Sequence, residues 1–267
     1  MSEYQQEKLL ILTKTYPVPS KSYRETVCVA AVNSLGDFRR LYPIQYRFLE
    51  GDRQFKRWQW IQANVVKSSD KRPESYNINN DTIVLQEILR TENGWDERLN
   101  WIKDHIYPSF NSLEQSRIDC RTSMGIIKPS NFSLIVKPTE NPDWSPAQLT
   151  ALRTEGFFDP TSGNKKIVRK LPYDFYYEYS TDEDSLTYRH MITDWEVGAL
   201  FWRCQRDYGN NWEEKLREKL ESDFRNRSLL LLLGTMHRFP NQWLIIGLIY
   251  PPSLEFQEML IPVLSDL

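Results

Sequence analysis

The chain has 267 residues, of which 40% are hydrophobic, and its 34 lysines and arginines nearly balance its 36 aspartates and glutamates. The net charge of −2 excludes a protein held to its partner by a general excess of positive charge, so any surface for nucleic acid has to be a local patch. The hydrophobic fraction excludes a disordered chain, because it suffices for a buried core in one large or two small domains.

The cysteines and the most apolar segments indicate where in the cell the protein is located. Cys28, Cys120 and Cys204 stand far apart without a C-x-x-C pair, which predicts reduced thiols and neither disulfides nor a zinc site. The polar N-terminus lacks a secretory signal, and the most apolar run, 229–233, is far shorter than the roughly 20 residues that span a bilayer. We therefore expect a cytoplasmic protein without a membrane span.

The first third of the chain has the pattern of β-structure. Residues 9–12 and 27–32 form short apolar runs, and a turn followed by residues 38–46 predicts a hairpin. Residues 58–66 continue the pattern, so we predict a small barrel or sandwich. Apolar residues from 95 to 106 then recur at helical spacing, which predicts a helical insertion of about three turns.

The middle of the chain contains the predicted domain boundary. After a β-type run at 126–136, Ser145, Pro146 and Gln148 form a capping box and predict a short helix to about residue 154. The polar stretch 159–166 is the best linker. We therefore predict an N-terminal β unit with a helical insertion over residues 1–158, and a C-terminal β unit with two helices over residues 167–267.

The second half continues with strands and capped helices. An aromatic run at 173–179 and residues 186–192 predict a hairpin, and capping boxes at 193–196 and 211–214 predict two amphipathic helices. Two nearly continuous apolar runs, 229–233 and 243–250, predict strands buried on both faces. The expected fold class is α+β and β-rich, with two small barrel-type β units and inserted helices.

Basic and aromatic residues are concentrated between Gly36 and Trp60. Arginines make bidentate contacts with phosphates, and each aromatic ring stacked on a base contributes about 1–3 kcal/mol. The pattern predicts a groove for single-stranded nucleic acid or a nucleotide, with further phosphate contacts from a turn at 70–75 and a tip at 237–238. The candidate residues are Arg39, Arg40, Tyr42, Arg47, Lys56, Arg57, Trp58, Arg72, His237 and Arg238.

The same residues have a second interpretation. The aromatic rings can belong to the core, while the arginines remain in solvent and cover apolar surface with their stems. The 70–75 turn can equally be a surface loop closed by local ion pairs, which contribute little to stability.

A catalytic hypothesis rests on a strand-to-helix junction. There, His190 lies near Asp194 and Glu196, and an imidazole beside carboxylates can transfer protons or bind a metal. If the protein is an enzyme acting on nucleic acid or a nucleotide, these three residues, joined by His237, are its catalytic candidates. The carboxylates also suit the first turn of a helix without any catalytic role.

The remaining motifs support neither a cofactor nor a known reaction. The sequence lacks the glycine motifs of nucleotide-binding folds, H-E-x-x-H and G-x-S-x-G, so we predict no cofactor and no metal site. Nine tryptophans and fourteen tyrosines favour a third possibility, a protein-binding accessory subunit, because such residues are enriched in interface hot spots.

Four successive segments carry a resemblance to a known family. They are the apolar run 27–32, the Arg-Arg-Leu-Tyr-Pro turn at 39–43, the strand-like 58–61 and the run 70–75. Together they resemble the dual OB-containing domain family of bacterial conflict systems, best over residues 1–75. Ala31 stands in place of the family's glycine and Phe38 in place of its tryptophan. The resemblance implies two OB-like barrels that bind nucleic acid or a nucleotide in a bacterial defence or mobile-element context, with a protein partner encoded nearby.

Overall fold

The computed structural model describes residues 3–20, 22–92, 94–153, 166–184 and 186–253. The predicted linker at 159–166 lies, apart from residue 166, outside the described residues, and so does the boundary placed there. Within the described ranges, no helix combines the length and the apolar character needed to cross a membrane.

Long strands in the first third of the chain close into a barrel. The strands are β1 (Gln5–Lys14), β2 (Val18–Ser20), β3 (Arg24–Asn33), β4 (Phe38–Ile44), β5 (Gln59–Lys67), β6 (Ser75–Ile78) and β7 (Val84–Ile88). Five of them pair in the order β1-β3-β4-β6-β5 and back to β1, while β2 adds to β3 and β7 adds to β5. The β4–β6 pair is parallel, and the other barrel pairs are antiparallel. Three short 3₁₀ helices connect these strands, at Tyr46–Phe48, Gly51–Arg53 and Asn80–Thr82.

Side chains along the barrel strands alternate between the interior and the outer face, and both sides are apolar along β3. Val27, Val29 and Ala31 of β3 belong to the apolar cluster inside the barrel, whereas Ala30 and Val32 face outward into a different apolar cluster. Closure leaves few unpaired backbone groups at sheet edges. The predicted α+β, β-rich class with a barrel-type unit is therefore confirmed.

The insertion after the barrel differs from the expected three-turn helix. It consists of α1 (Asp96–Asn100), a 3₁₀ helix (Lys103–His105), the short strand β8 (Ile106–Tyr107) and α2 (Phe110–Cys120). Leu99 and Ile102 belong to the same apolar cluster as the barrel's Trp58 and Trp60, and their spacing of three residues suits the tighter 3₁₀ turn. The prediction of one continuous helix over 95–106 is therefore wrong.

The rest of the described chain forms two further sheets and three helices. The strands are β9 (Met124–Ile127), β10 (Asn131–Pro138), β11 (Tyr173–Ser180), β12 (Tyr188–Met191), β13 (Leu230–Thr235) and β14 (Trp243–Ile249). The helices are α3 (Pro146–Arg153), α4 (Trp195–Tyr208) and α5 (Trp212–Arg217), with a 3₁₀ turn at Gly209–Asn211 and a π-helical stretch at Glu218–Asp223.

These two sheets join segments from both sides of the predicted boundary. One has the order β14-β13-β9-β8 and the other β10-β11-β12, and an isolated bridge between Ile192 and Ile245 connects them. Strands β9 and β10, placed by the sequence in the N-terminal unit, thus pair with β13 and β11 of the C-terminal one. The strands predicted at 229–233 and 243–250 are buried along both faces, as expected.

One apolar cluster belongs to both halves of the molecule. Ala30, Val32 and Phe38 on the outer side of β3 and β4 belong to the same cluster as Ile126 of β9 and Leu232 of β13. OB-fold proteins use the face of their second and third strands for ligands. In this protein, the sheet of the second half covers much of that face.

Candidate nucleic-acid interface

Two arginines of the predicted groove are engaged inside the protein. Arg39 donates to Glu7 at 2.9 Å and lies over the ring of Tyr76, with 11% of its side chain exposed. Arg40 is buried between the halves, where its Nη2 donates to the carbonyl oxygen of Ser123 at 2.8 Å. Burial lowers the pKa of the Arg40 guanidinium, and nearby Cys28 offsets part of this effect.

The other groove candidates are divided between internal contacts and solvent. Arg47 forms an ion pair with Glu25 at 2.9 Å. Arg57 forms one with Glu196 at 2.9 Å and also donates to the carbonyl oxygen of Leu248. Trp58 is buried and packs edge-on against Trp95, as the core interpretation of the aromatic residues predicts. Tyr42 and Lys56 remain exposed.

Two of the candidates, Arg72 and His237, come together at a different place, on either side of Asp70. Asp70 accepts a hydrogen bond from Arg72 Nε at 2.9 Å, and His237 Nδ1 lies 3.2 Å from the same carboxylate. Arg72 Nη1 also donates to the carbonyl oxygen of Thr235 at 2.6 Å. These contacts join the β5–β6 loop (68–74) of the barrel to the β13–β14 hairpin loop (236–242) of the second half.

The charge of Asp70 is fixed by this junction. Burial acts to raise the pKa of its carboxyl, but hydrogen bonds from Arg72 and the charge of that guanidinium hold it well below the usual range. Asp70 therefore stays ionised at neutral pH and keeps Arg72 and His237 in place. Lys67 stabilises the same loop, because its Nζ donates to the carbonyl oxygens of Arg72 at 2.9 Å and Ser75 at 3.2 Å.

The junction presents positive charge and one aromatic ring to solvent. The side chain of His237 is 70% exposed and Phe239 is 51% exposed, and Lys71 and Arg238 are exposed as well. We call this surface the loop rim and define it as Lys71, Arg72, His237, Arg238 and Phe239. Sequence reasoning missed Phe239, although an aromatic residue directly after His-Arg in a polar hairpin was a usable signal.

The proposed catalytic carboxylates have structural partners. Asp194 is the N-cap of α4 and accepts hydrogen bonds from the backbone N–H groups of Glu196 and Leu248, each at 2.9 Å. Arg57 lies 4.0 Å away from the same carboxylate. Burial nevertheless raises the pKa of Asp194 to about 6, against the lowering effect of Arg57.

His190 belongs to a separate cluster on β12. Its Nδ1 lies 3.1 Å from the hydroxyl of Tyr179, and its ring packs against Phe110 with centroids 4.8 Å apart. Burial lowers the pKa of His190 to about 4, and Glu114 opposes this shift. Since no contact links His190 to Asp194 or Glu196, and His237 lies at the loop rim, the structure does not bring the catalytic candidates together. The described part of the chain also contains no group of three histidine, cysteine or acidic residues placed to hold a metal ion.

Comparison with known proteins divides the chain into two matched segments. A family model described as Domain of unknown function (DUF8758) matches residues 5–104, which include the barrel and α1. A second model, described as Domain of unknown function (DUF8757), matches residues 107–263, which is more than half of the chain. A search of curated proteins finds no match.

Proposed function

We propose a function for a chain that belongs to the family described as Domain of unknown function (DUF8757): it binds single-stranded nucleic acid, or a nucleotide, at the loop rim. The observation that carries the proposal is the exposed ring of Phe239 beside Arg238 and His237, on a loop that Asp70 and Arg72 tie to the barrel. Stacking on the ring and phosphate contacts by the cations supply the binding.

The position of the rim on the barrel supports this proposal. Loop 68–74 connects β5 and β6, which are the fourth and fifth of the five barrel strands because β2 lies outside the barrel. The corresponding loop of OB folds takes part in binding oligonucleotides. Since the second half covers much of the outer face of β3 and β4, an edge loop is the part of the barrel still open to a strand of nucleic acid. Lys71, Arg72 and Arg238 outnumber the two carboxylates of loop 68–74, Asp70 and Glu74, so the rim attracts phosphate.

Fluorescence anisotropy with labelled single-stranded DNA and RNA, at two salt concentrations, tests the proposal. The double variant Lys71→Ala/Arg238→Ala removes two phosphate contacts, so affinity should fall and the slope of log K against log salt should decrease by about 2. Phe239→Ala should weaken binding by about 1–3 kcal/mol, the contribution of one stacked base. The melting temperature should stay unchanged, because all three side chains are exposed.

A matched control separates the rim from charge in general. Arg90→Ala/Arg206→Ala also removes two exposed cations, but their ion-pair partners, Glu92 and Asp207, lie outside loops 68–74 and 236–242. This variant should bind like the wild type. An equal loss of affinity in the control, or no binding of wild type to any oligonucleotide at low salt, would overturn the assignment to the rim.

The setting of this activity is part of the same proposal. The resemblance of residues 1–75 to the dual OB-containing domain family supports a role in bacterial defence, with a protein partner encoded nearby. Cys28, Cys120 and Cys204 are free thiols, which supports a cytoplasmic location. His190 contacts Tyr179, whereas Asp194 accepts a hydrogen bond from the backbone of Leu248. These separate partners favour the binding proposal over a catalytic site made of His190, Asp194 and Glu196.

A further inference from the structure

A cleft in the second half lies apart from the loop rim. It has a volume of about 340 Å³, within the usual size of sites for small molecules, and lies between α4, the π-helical stretch and β14. Its apolar lining includes Val197, Leu200, Leu220, Phe224, Leu248 and Tyr250, with Ala199 at an exposed position. Phe224 and Tyr250 stack with centroids 4.6 Å apart, which gives part of the lining a flat aromatic surface.

The charged residues lining the cleft are paired, with one exception. Glu196 and Asp194 at one end lie beside Arg57, at 2.9 and 4.0 Å. Lys219 forms an ion pair with Asp223 at 2.9 Å. Within the described residues, the exposed guanidinium of Arg203 has neither a hydrogen bond nor an ion pair.

We propose that this cleft binds a small apolar monocarboxylate, with the hydrocarbon body on the apolar lining and the carboxylate on Arg203. The apolar walls favour a ligand that loses hydrocarbon surface to water, and the free guanidinium favours a negative group with two oxygens. The acidic end of the cleft does not compete for this group, because Glu196 and Asp194 have two cations beside them, Arg57 in ion-pair contact and Lys14 within electrostatic range.

Calorimetric titration of the full chain with octanoate and octylamine tests the sign of the charge and the place of binding. Octanoate should bind the wild type at least about tenfold more tightly than octylamine, and Arg203→Gln should weaken octanoate binding about tenfold by removing a charge-assisted contact. Ala199→Phe places a ring in the cleft from an exposed position and should abolish binding without disturbing the core.

Arg206→Gln is the matched control on the same helix. Arg206 is exposed, pairs with Asp207 and does not line the cleft, so octanoate affinity should be unchanged in this variant. The proposal is overturned if octylamine binds as tightly as octanoate, if Arg203→Gln and Arg206→Gln behave alike, or if no octanoate binds at millimolar concentration. None of these results depends on nucleic-acid binding at the loop rim.

Discussion

Single side chains in this protein take their roles from partners that are distant along the chain. Arg39 pairs with Glu7, Arg57 with Glu196, and Arg40 inserts between the two halves against Ser123. A run of arginines near aromatic residues has the same pattern whether the arginines face solvent or acids of other elements. The sequence therefore predicted that Arg72, His237 and Arg238 could contribute to a basic surface. It could not predict that Arg40 is buried, because the partner of Arg40 lies far away along the chain.

The buried carboxyl of Asp194 should make the free energy of unfolding fall as pH rises. Burial raises the pKa of its carboxyl to about 6 in the folded state, above the value near 3.9 of an unfolded chain. The folded state therefore binds this proton more tightly, and the stabilisation present below pH 4 is lost as pH rises through 6. Relative to Asp194→Asn, the wild-type free energy of unfolding should fall by about 2 kcal/mol between pH 4 and pH 7.

Chemical denaturation of both proteins at several pH values measures this difference. Asparagine is also a good N-cap, so the comparison isolates the titration rather than the loss of the cap. A difference that grows in favour of the wild type with rising pH would mean that the ion pair with Arg57 outweighs burial.

At the scale of elements, α4 is fixed by contacts made at its first turns. A Cβ on Gly198 would lie 2.4 Å from a ring carbon of Tyr16. That ring cannot move freely, because its hydroxyl donates to the carbonyl oxygen of Arg169 at 2.8 Å and accepts from Trp202 at 2.9 Å. The absence of a side chain at residue 198 thus lets α4 pack closely on the segment after β1.

Gly198→Ala should therefore destabilise the protein, although alanine is the better helix former. We expect a net loss of about 1–3 kcal/mol in the free energy of unfolding, the usual cost of overpacking. Gly51→Ala serves as the control, since a Cβ there meets nothing within 4 Å. Equal stability of the two variants in urea unfolding would show that Tyr16 moves aside at little cost.

Local sequence signals predicted individual elements well. The capping residues Ser145 and Asp194 stand at the starts of α3 and α4, and the apolar runs at 229–233 and 243–250 pair as β13 and β14. Partners were harder to predict than elements. Strand β1 closes onto β5, and β9 pairs with β13 across about a hundred residues. Neither pairing leaves a periodic pattern in the sequence, because an apolar strand can pair with any of several other apolar strands.

At the scale of the whole molecule, β14 crosses the barrel at close range. A Cβ on Gly247 would lie 2.8 Å from side-chain carbons of Thr13, whose hydroxyl donates to the carbonyl oxygen of Ile246 at 3.0 Å. Together with the shared cluster around Val32 and Leu232, this contact makes the stability of each half depend on the other.

The molecule should therefore melt as one cooperative unit. Far-ultraviolet circular dichroism and tryptophan fluorescence should report the same transition in the wild type. Gly247→Ala should lower the temperature of that single transition by roughly 2–4 °C for each kcal/mol lost. Two separate transitions, in either protein, would contradict the coupling between the halves.

The covered face of the barrel makes the first matched segment depend on the second for its cover. A gene for residues 5–104 alone would produce a barrel with Val32, Phe38 and other apolar side chains open to water, and such a surface favours self-association. Recombination that moved this segment into a new protein would have to supply another cover at the same time. In this chain the second segment therefore supplies the cover that the first one needs, even though each is matched by its own family model.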